Sequence, residues 1–343
     1  MIAFFQEDIM ENSQDTRLTS AEIGGLWSCY LNNTMSICTL KYFKNIVEDE
    51  QTKSIIEYAL ELSNEYLERV TNILKAEEFP IPQGFTQADV NLEAPRLFTD
   101  IFILNFAKSM AKIGLGTYSL CYSLSSRNDV RELYRYCMKT TTDLDERSVN
   151  LLKNKGLYIR PPYITYPRKV RFVTKKKFLD GLGKNKRPLT AHEITHLFSN
   201  LDTNILGHML AIGFAQVADD KEVQKILWKG KRMSEKQRKV FSDKLLDENL
   251  PSPGTWDSGV TKATESPFSD KLMLYMISFL TAASLGNYGL AMGASPRMDL
   301  GSSYSKLMTE VSSFAKEVAD LMIEKGWLEE PPQAENREDL ADL

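Results

Sequence analysis

The stretch LTSAEIGGLWS at residues 18–28 recurs as LTAHEITHLFS at residues 189–199, with six of the eleven positions identical. The shift of 171 residues persists along the chain, with one slip of a single residue, and both copies end alike, in LLKNKGLYIRPP at 151–162 and LMIEKGWLEEPP at 321–332. Repetition over such a distance indicates one structural unit encoded twice. Each residue can therefore be compared with its twin, the residue at the same position of the other copy.

The apolar residues of each copy recur with a helical period and predict four long helices per copy. The first copy's helices are expected near 19–47, 50–78, 98–125 and 128–155, and the second copy's near 190–218, 221–249, 268–295 and 299–325. Alternation in YITYPRKVRFV, residues 163–173, predicts one short strand or hairpin. The sequence thus predicts an all-α protein.

The connections predict how the helices are arranged. Helices one and two, and helices three and four, are joined by a few residues, whereas about 19 residues join helices two and three at 79–97 and again at 250–267. A helix of 28 residues is about 42 Å long, and 19 extended residues reach about 60 Å. Short, long, short connections therefore predict two tandem ferritin-like four-helix bundles. An up-and-down bundle with an idle loop is the alternative.

Five segments follow from this arrangement. They are an N-terminal segment 1–17, bundle 1 at 18–157, a basic linker 158–188, bundle 2 at 189–328 and an acidic, disordered tail 329–343. Residues 158–187 hold ten Lys or Arg against one acid. Such a run could dock on a phosphate-rich surface, but a solvated connection is the favoured interpretation.

Composition limits the classes of function. The 343 residues carry a net charge of -4, which gives no overall attraction to nucleic acid or membrane. The first residues lack the layout of a signal peptide, so a cytoplasmic location is expected. Reduced, buried thiols are expected because no C-x-x-C pair is present. The four cysteines are Cys29, Cys38, Cys121 and Cys137.

The stretch HEITH at 192–196 matches the H-E-x-x-H signature of zinc hydrolases, in which two histidines bind zinc and the glutamate activates water. A third protein ligand is missing, because His208 lies about 18 Å further along the same helix. The twins of His192 and His196 are Ala21 and Gly25. Both histidines remain weak metal candidates, and a zinc hydrolase is a remote alternative.

The same stretch contains a helix-start signal. Thr19 with Glu22, and Thr190 with Glu193, form T-x-x-E capping boxes, in which threonine and glutamate satisfy the first backbone N–H groups of a helix. Glu193 therefore has a structural role that its twin shares without any histidine. The sequence favours a non-catalytic protein over an enzyme.

Ferritin-type di-iron chemistry is not predicted. It requires Glu-x-x-His on two helices and an inward Glu on the other two. Neither copy contains E-x-x-H, and the third helices carry no acid or histidine after their first turn. No cofactor is expected.

Helices one and three are unusually poor in charge. Residues 23–40 and 272–296 contain no charged side chain, which suggests burial on all sides. A membrane span is not favoured, because the twin of the second stretch carries Lys108 and Lys112. We expect helices one and three of the two copies to pack together about a pseudo-twofold axis, so that isolated halves self-associate. Close approach is expected at the small residues of helix three, with its tyrosines packed beside them: Gly114, Gly116, Gly286, Gly289, Gly293, Tyr118 and Tyr288.

The two copies share several motifs: the LTxxEI starts, the F-P-x-P or L-P-x-P crossover, the LGxY core and the KG(L/W) ending. In these the chain resembles a tandem ferritin-like family of uncharacterised proteins from Bacillus-type spore formers, which is distantly similar to the spore coat protein F group. The resemblance implies a sporulation context, in the mother cell or the coat, and no catalytic residues. A structural or interaction protein with coat or other protein partners is expected. A metal- or small-ligand-binding protein using His192 and His196 is the alternative.

Overall fold

The computed structural model describes residues 16–181, 186–254 and 259–337. Its eight long helices are α1 Ser20–Ile46, α2 Glu50–Ala76, α3 Asp100–Leu124, α4 Asn128–Asn154, α5 Ala191–Val217, α6 Lys221–Leu246, α7 Asp270–Ala294 and α8 Met298–Glu324. Every end lies within three residues of its predicted position. The all-α prediction is confirmed, with α1 to α4 forming bundle 1 and α5 to α8 forming bundle 2.

Contacts at the helix ends show that α2 and α3 run in the same direction. At one end of bundle 1, the backbone N–H of Asp49, before α2, donates to Asp100 at the start of α3 over 2.9 Å. At the other end, Arg127 before α4 pairs with Glu77 after α2. The connection from α2 to α3 therefore crosses the length of the bundle. This excludes the up-and-down alternative for bundle 1.

Bundle 2 repeats this arrangement. The N–H of Asp220 donates to Asp270 over 2.8 Å, and Arg297 donates to Glu248 over 2.8 Å. The order of connections is thus short, long, short in both bundles, as the sequence predicted.

The two crossing connections pair with each other. Val90 forms an antiparallel bridge with Phe268, and Phe98 forms one with Val260. Val260 is the twin of Val90 and Phe268 is the twin of Phe98, so each bridge is the counterpart of the other. Reciprocal contacts of this kind define a twofold relation between two equivalent units. The predicted pseudo-twofold packing is confirmed.

Hydrogen bonds beside these bridges obey the same symmetry. The N–H of Thr99 donates to the carbonyl of Gly259 over 3.0 Å, and the N–H of Ser269 donates to the carbonyl of Asp89 over 3.0 Å. The crossing connections thus satisfy part of their backbone polar groups across the repeats. This pairing was not predicted.

The strand expected at 163–173 is absent, because the structure gives these residues no ladder partner. Tyr166 is 89% exposed and Phe172 is 90% exposed. An alternating pattern becomes a strand only where a neighbouring strand accepts its backbone hydrogen bonds. The prediction was wrong for that reason.

An aromatic cluster fills the centre of the molecule. The ring of Phe98 stacks on Phe102 at 4.3 Å between centroids and meets Phe214 of bundle 2 edge-on at 6.1 Å. Phe214 in turn meets Phe268 at 6.0 Å. One buried apolar core therefore runs from bundle 1 into bundle 2, which is the main stabilisation of their contact.

The glycines expected to bring helix three close to the other repeat do not do so. Gly116 and Gly286 are exposed, and a Cβ at either would have no atom within 4 Å. The close approach occurs instead at Gly213 of α5, where a Cβ would lie 2.6 Å from Cζ of Phe98. The prediction failed because glycine content does not show which face of a helix meets its partner.

The other glycines of helix three also lie away from the inter-repeat contact. A Cβ at Gly289 or Gly293 would be in open space or at ordinary contact distance, and one at Gly114 would meet only its own bundle. The two tyrosines pack inside their bundles. Tyr288 is fully buried, and the half-buried Tyr118 has its ring 5.7 Å from that of Tyr66.

Gly213→Ala is expected to lower the free energy of unfolding by about 1–3 kcal/mol, because the new methyl group would overlap the buried ring of Phe98. Gly116→Ala is the control and is expected to stabilise the protein by up to about 1 kcal/mol, since alanine is the better helix former. Urea unfolding of both variants measures the difference. Equal stability of Gly213→Ala and the parent chain would refute the close approach.

Helix three is only partly buried, contrary to expectation. The first halves of α3 and α7 lie in the core, but Leu120 is 59% exposed and Leu290 is 69% exposed near the other ends. The second halves of the two helices are covered on only part of their surface, which the absence of charge could not reveal. No helix in the described ranges is long and apolar enough to span a membrane.

Candidate functional site

The histidines of HEITH lie on the first turns of α5. His192 is exposed and His196 is half-buried, and burial, followed by the charge of His192, lowers the pKa of His196. His208 is buried elsewhere, with Nδ1 3.3 Å from the carbonyl of Lys231. Within residues 16–181, 186–254 and 259–337, no three His, Cys, Asp or Glu side chains are grouped so that they could hold a metal ion.

Glu193, the central residue of HEITH, is fully buried and used for structure. Its carboxylate accepts from the backbone N–H of Thr190 over 2.8 Å and from both terminal nitrogens of Arg187, over 2.7 and 2.8 Å. Burial alone would raise the pKa of Glu193, but Arg187 and Thr190 outweigh it, and the pKa is lowered. The capping box is complete, so this carboxylate is already engaged by five donor groups.

Its twin Glu22 does more than cap α1. Besides the N–H of Thr19, it accepts from the N–H groups of Ser126 and Arg127, each over 2.8 Å. Glu22 therefore ties the start of α1 to the turn between α3 and α4. In bundle 2 the N–H of Arg297 makes the equivalent bond to Glu193 over 3.3 Å.

Each of these glutamates lies beside a buried arginine. Arg297 is fully buried and donates to Asp299 over 2.8 Å and to Glu248 over 2.8 Å. Arg127 pairs with Asp129 and Glu77 in the same way. We call these two groups the arginine clusters. Sequence reasoning missed them, although the shared S-x-R-x-D motif, SSRND at 125–129 and SPRMD at 295–299, was a usable signal.

Glu22 predicts a specific acid sensitivity. Burial alone would raise its pKa, but hydrogen bonds from Arg127, Thr19 and Ser126 lower it from 4.5 to about 2. Since the folded pKa is depressed, the stabilisation is complete above the ordinary value of 4.5 and is lost as pH falls from there towards 2. Urea unfolding across this window is expected to show a shallower loss of stability for Glu22→Gln than for the parent chain. Parallel curves would contradict this role.

The interior of bundle 1 gathers most of the cysteines. Cys29, Cys121 and Cys137 surround the buried Tyr134, and all four cysteines of the chain are free thiols. Burial raises the pKa of Cys29 to about 12 and also raises that of Cys121. Thiols of this kind stay protonated at neutral pH and are poor nucleophiles and poor metal ligands.

Two adjoining cavities lie in this interior, of about 80 and 70 Å³. They share the lining residues Asn33, Ser36, Met110, Gly114 and Tyr118. No charged side chain lines either cavity. This part of the molecule can therefore hold only neutral polar or apolar groups without a large desolvation cost.

The interior of bundle 2 is filled differently. Asn204, the twin of Asn33, donates to the hydroxyl of Tyr288 over 2.7 Å, and that hydroxyl donates to Gln237 over 2.8 Å. The twins of the three clustered cysteines are Asn200, Ala291 and Leu307. A hydrogen-bonded chain of side chains thus occupies the centre, beside a cavity of about 40 Å³.

The contact between bundles has one charged side. Lys108 of α3 pairs with Asp202 of α5 over 2.8 Å, and Lys112 donates to Ser199 over 2.7 Å. Burial lowers the pKa of Lys112. The pseudo-twofold counterpart of this contact is uncharged, with Tyr275 of α7 donating to Asn32 of α1 over 3.0 Å. The contact is therefore symmetric in backbone and asymmetric in charge.

The segment 158–181 is the most exposed described part of the linker. It combines large apolar side chains, among them Tyr163, Tyr166, Val170 and Phe172, with a run of basic residues. The basic residues are Arg160, Arg168, Lys169, Arg171, Lys175, Lys176 and Lys177. Exposure of the charges fits the predicted solvated connection, but that interpretation did not account for the exposed aromatic side chains.

The acidic tail begins with a fixed contact. Glu329 accepts from the backbone N–H groups of Gln83 and Gly84 over 2.9 and 2.7 Å, which attaches it to the crossing connection of bundle 1. The predicted tail, 329–343, is thus attached at its first residue, where a backbone turn supplies two donors. Its disorder stays a prediction. Residues 338–343, like the N-terminal residues 1–15, lie outside the described residues.

The fold and these clusters describe a duplicated four-helix bundle with structural polar groups, and comparison with known proteins places it. The chain matches the family described as "Protein of unknown function (DUF3231)" twice, over residues 8–170 and 177–340. It belongs to that family. The two matches coincide with the two copies found by internal comparison, which agrees with the resemblance noted from the motifs.

Two relatives each match less than half of the chain. The "Uncharacterized protein YvdQ" of Bacillus subtilis (strain 168) is 26% identical over 155 residues, which cover 44% of this chain and 91% of that protein. A crystal structure described as a "putative spore coat protein" from Bacillus halodurans C-125 is 23% identical and covers 45% of this chain and 99% of its own, with a TM-score of 0.41.

Proposed function

We propose that the chain is a structural or interaction protein without catalytic function, and that it acts in the spore coat or its surroundings. The observation that carries the interaction role is the exposed segment 158–181. Large apolar side chains such as Tyr166 and Phe172, exposed together, mark a surface that binds another molecule. Burying them in a complex would contribute about 25 cal/mol per Å² of apolar area.

The segment also indicates the kind of partner. Residues 158–175 of the segment form no helix and no ladder, whereas Lys176–Leu179 form a short 3-10 helix. The first part is therefore free to add to the edge of a partner's sheet or to lie in a groove. Its basic side chains favour a partner with an acidic surface. We therefore propose a protein partner whose binding face is acidic, with apolar pockets for the aromatic side chains.

The spore context is supported by the motifs that resemble a family from Bacillus-type spore formers and by a relative, itself uncharacterised, from Bacillus subtilis. A fluorescent fusion produced in Bacillus subtilis tests it through growth and sporulation. Signal around the forespore is expected. Diffuse signal with none on the forespore would remove the coat proposal.

A linker variant tests the interaction role separately. Tyr166→Ser combined with Phe172→Ser should leave thermal unfolding unchanged, because both side chains are exposed, and should abolish localisation to the forespore. Leu290→Ser, an exposed apolar residue on α7, is the matched control and should localise normally. If the double variant localises like the parent chain, the linker is not the binding segment, while the coat context stands.

The absence of a cofactor is part of the proposal. Elemental analysis of the purified chain is expected to find no stoichiometric metal. One zinc per chain that is lost on His196→Ala would overturn this and favour the metal-binding alternative at His192 and His196.

A further inference from the structure

The two adjoining cavities of bundle 1 are each about half the volume of the cavity of about 150 Å³ that accepts benzene in another protein. A ligand of that size would occupy both, across the five lining residues that they share. The second cavity extends from the shared residues to Gly25, Tyr134 and Phe279, the last contributed by bundle 2. Gly25, Thr117 and Phe279 are only half-buried, so this end lies near the surface and gives a route of entry.

The chemistry of the walls selects a neutral occupant. Hydroxyl, amide and thiol groups line the cavities together with aromatic rings and Met110. Because burial raises the pKa of Cys29 to about 12, its thiol carries no charge at neutral pH. An ion entering this space would lose its hydration without gaining an opposite charge.

One buried polar group in the wall of these cavities lacks a hydrogen-bond partner among the described residues. The hydroxyl of Tyr134 is fully buried and receives no hydrogen bond from any described residue. The polar group beside it is the thiol of Cys121, which is a weak hydrogen-bond partner. A buried hydroxyl left unpaired is costly, so a ligand atom that accepts a hydrogen bond from it would be bound favourably.

The neighbouring helix leaves room at this hydroxyl. A Cβ at Gly25 would lie 2.7 Å from the Tyr134 oxygen and 3.4 Å from the Cys121 sulfur. The adjacent Gly24 has nothing within 4 Å of its Cβ position. Of these two glycines, only Gly25 therefore keeps space open at the Tyr134 hydroxyl. In bundle 2, His196 stands at the position equivalent to Gly25.

We propose that bundle 1 binds one small neutral molecule, about the size of a single aromatic ring, which accepts a hydrogen bond from the hydroxyl of Tyr134. The ring of the ligand packs among Tyr118, Met110 and Phe279. The site is formed in the first repeat and not in the second. The centre of the second repeat is occupied by the hydrogen-bonded side chains of Asn204, Tyr288 and Gln237. This inference does not depend on the spore role or on the linker.

Phenol, benzene and benzoate are the probes, tested on the full chain by equilibrium dialysis and by the ligand-dependent rise in melting temperature. Phenol is expected to bind with one site per chain, and benzoate not at all. Tyr134→Phe should weaken phenol binding about tenfold, the effect of losing one hydrogen bond, and leave benzene binding unchanged. Tyr304→Phe, the twin substitution in bundle 2, should leave both unchanged.

The paired glycines provide the second test. Gly25→Ala should abolish phenol binding, whereas Gly24→Ala should retain it. If Gly25→Ala fails to fold, Ser36→Leu, which fills space shared by both cavities, takes its place. Three results would each overturn the proposal: no saturable phenol binding by the parent chain, undiminished binding by the cavity-filling variant, or undiminished phenol affinity of Tyr134→Phe.

Discussion

Arg297→Ala is expected to lower the free energy of unfolding by about 3–5 kcal/mol, the usual cost of removing one partner from a buried ion pair. The guanidinium is fully buried and donates to Asp299, to Glu248 and, over 2.9 Å, to the carbonyl of Arg187. Alanine leaves these acceptors with fewer donors in a site that water does not reach. The loss therefore exceeds the value of the pair itself.

Urea unfolding of three variants defines the effect. Arg297→Lys should lie between the parent chain and Arg297→Ala, because lysine keeps the charge but cannot form the planar fork with Asp299. Arg127→Ala, the twin substitution, should lose a similar amount, since its side chain is also buried between Asp129 and Glu77. A loss below about 1 kcal/mol for Arg297→Ala would place the cluster among surface ion pairs and contradict its structural role.

The two halves, produced separately, are expected to associate. An isolated bundle 1 would expose the buried rings of Phe98 and Phe102 to water. Two molecules of bundle 1 could cover these rings for each other. Phe98 of one molecule can take the place of Phe268 and form the bridge with Val90 of the second molecule. Size-exclusion chromatography with light scattering should therefore show dimers or larger species. Stable monomers would show that the contact between bundles is dispensable.

Mixing the halves should give a one-to-one complex in preference to either homodimer. The twin of Asp202 is Leu31, so a homodimer of bundle 1 would leave Lys108 without its acid. The twin of Lys108 is Ser278, so a homodimer of bundle 2 would leave Asp202 without its base. A buried charge without a partner is costly, which disfavours both homodimers.

Asp202→Leu tests this preference. In the second half it should remove the advantage of the mixed complex by leaving Lys108 unpaired, and it should strengthen the homodimer of bundle 2. Sedimentation equilibrium of the mixed and separate halves measures the populations. A mixture that sorts at random with the original sequence would show that the ion pair does not set the pairing.

The helices, their capping interactions and the crossing connection could be predicted because each depends on a short segment of the sequence. The helices were placed to within three residues, since helical periodicity is a property of the segment itself. The capping interactions of Thr19 with Glu22 involve residues three apart, so the sequence predicts them as well. The crossing connection followed from its length. The repeat supported each of these assignments by showing it twice.

The contacts of Glu22 with a distant turn and the cavities of bundle 1 could not be predicted, because they depend on how the helices are placed relative to one another. Glu22 accepts hydrogen bonds from Ser126 and Arg127, which lie more than 100 residues further along the chain. No pattern of spacing in the sequence predicts that contact. The cavities of bundle 1 arise from the positions of Gly25 and Tyr134 on two different helices. Neither residue differs in kind from many others that only fill space.

By itself the sequence determined that this protein repeats a unit of four long helices with short, long, short connections and capped starts, because these features depend on residues close together in the chain. Only the tertiary structure decided that the crossing connections pair with each other, that Gly213 rather than Gly116 allows close approach, and that residues 163–173 form no strand. Those outcomes depend on which helix faces meet, and the faces are fixed by the packing of all the elements together.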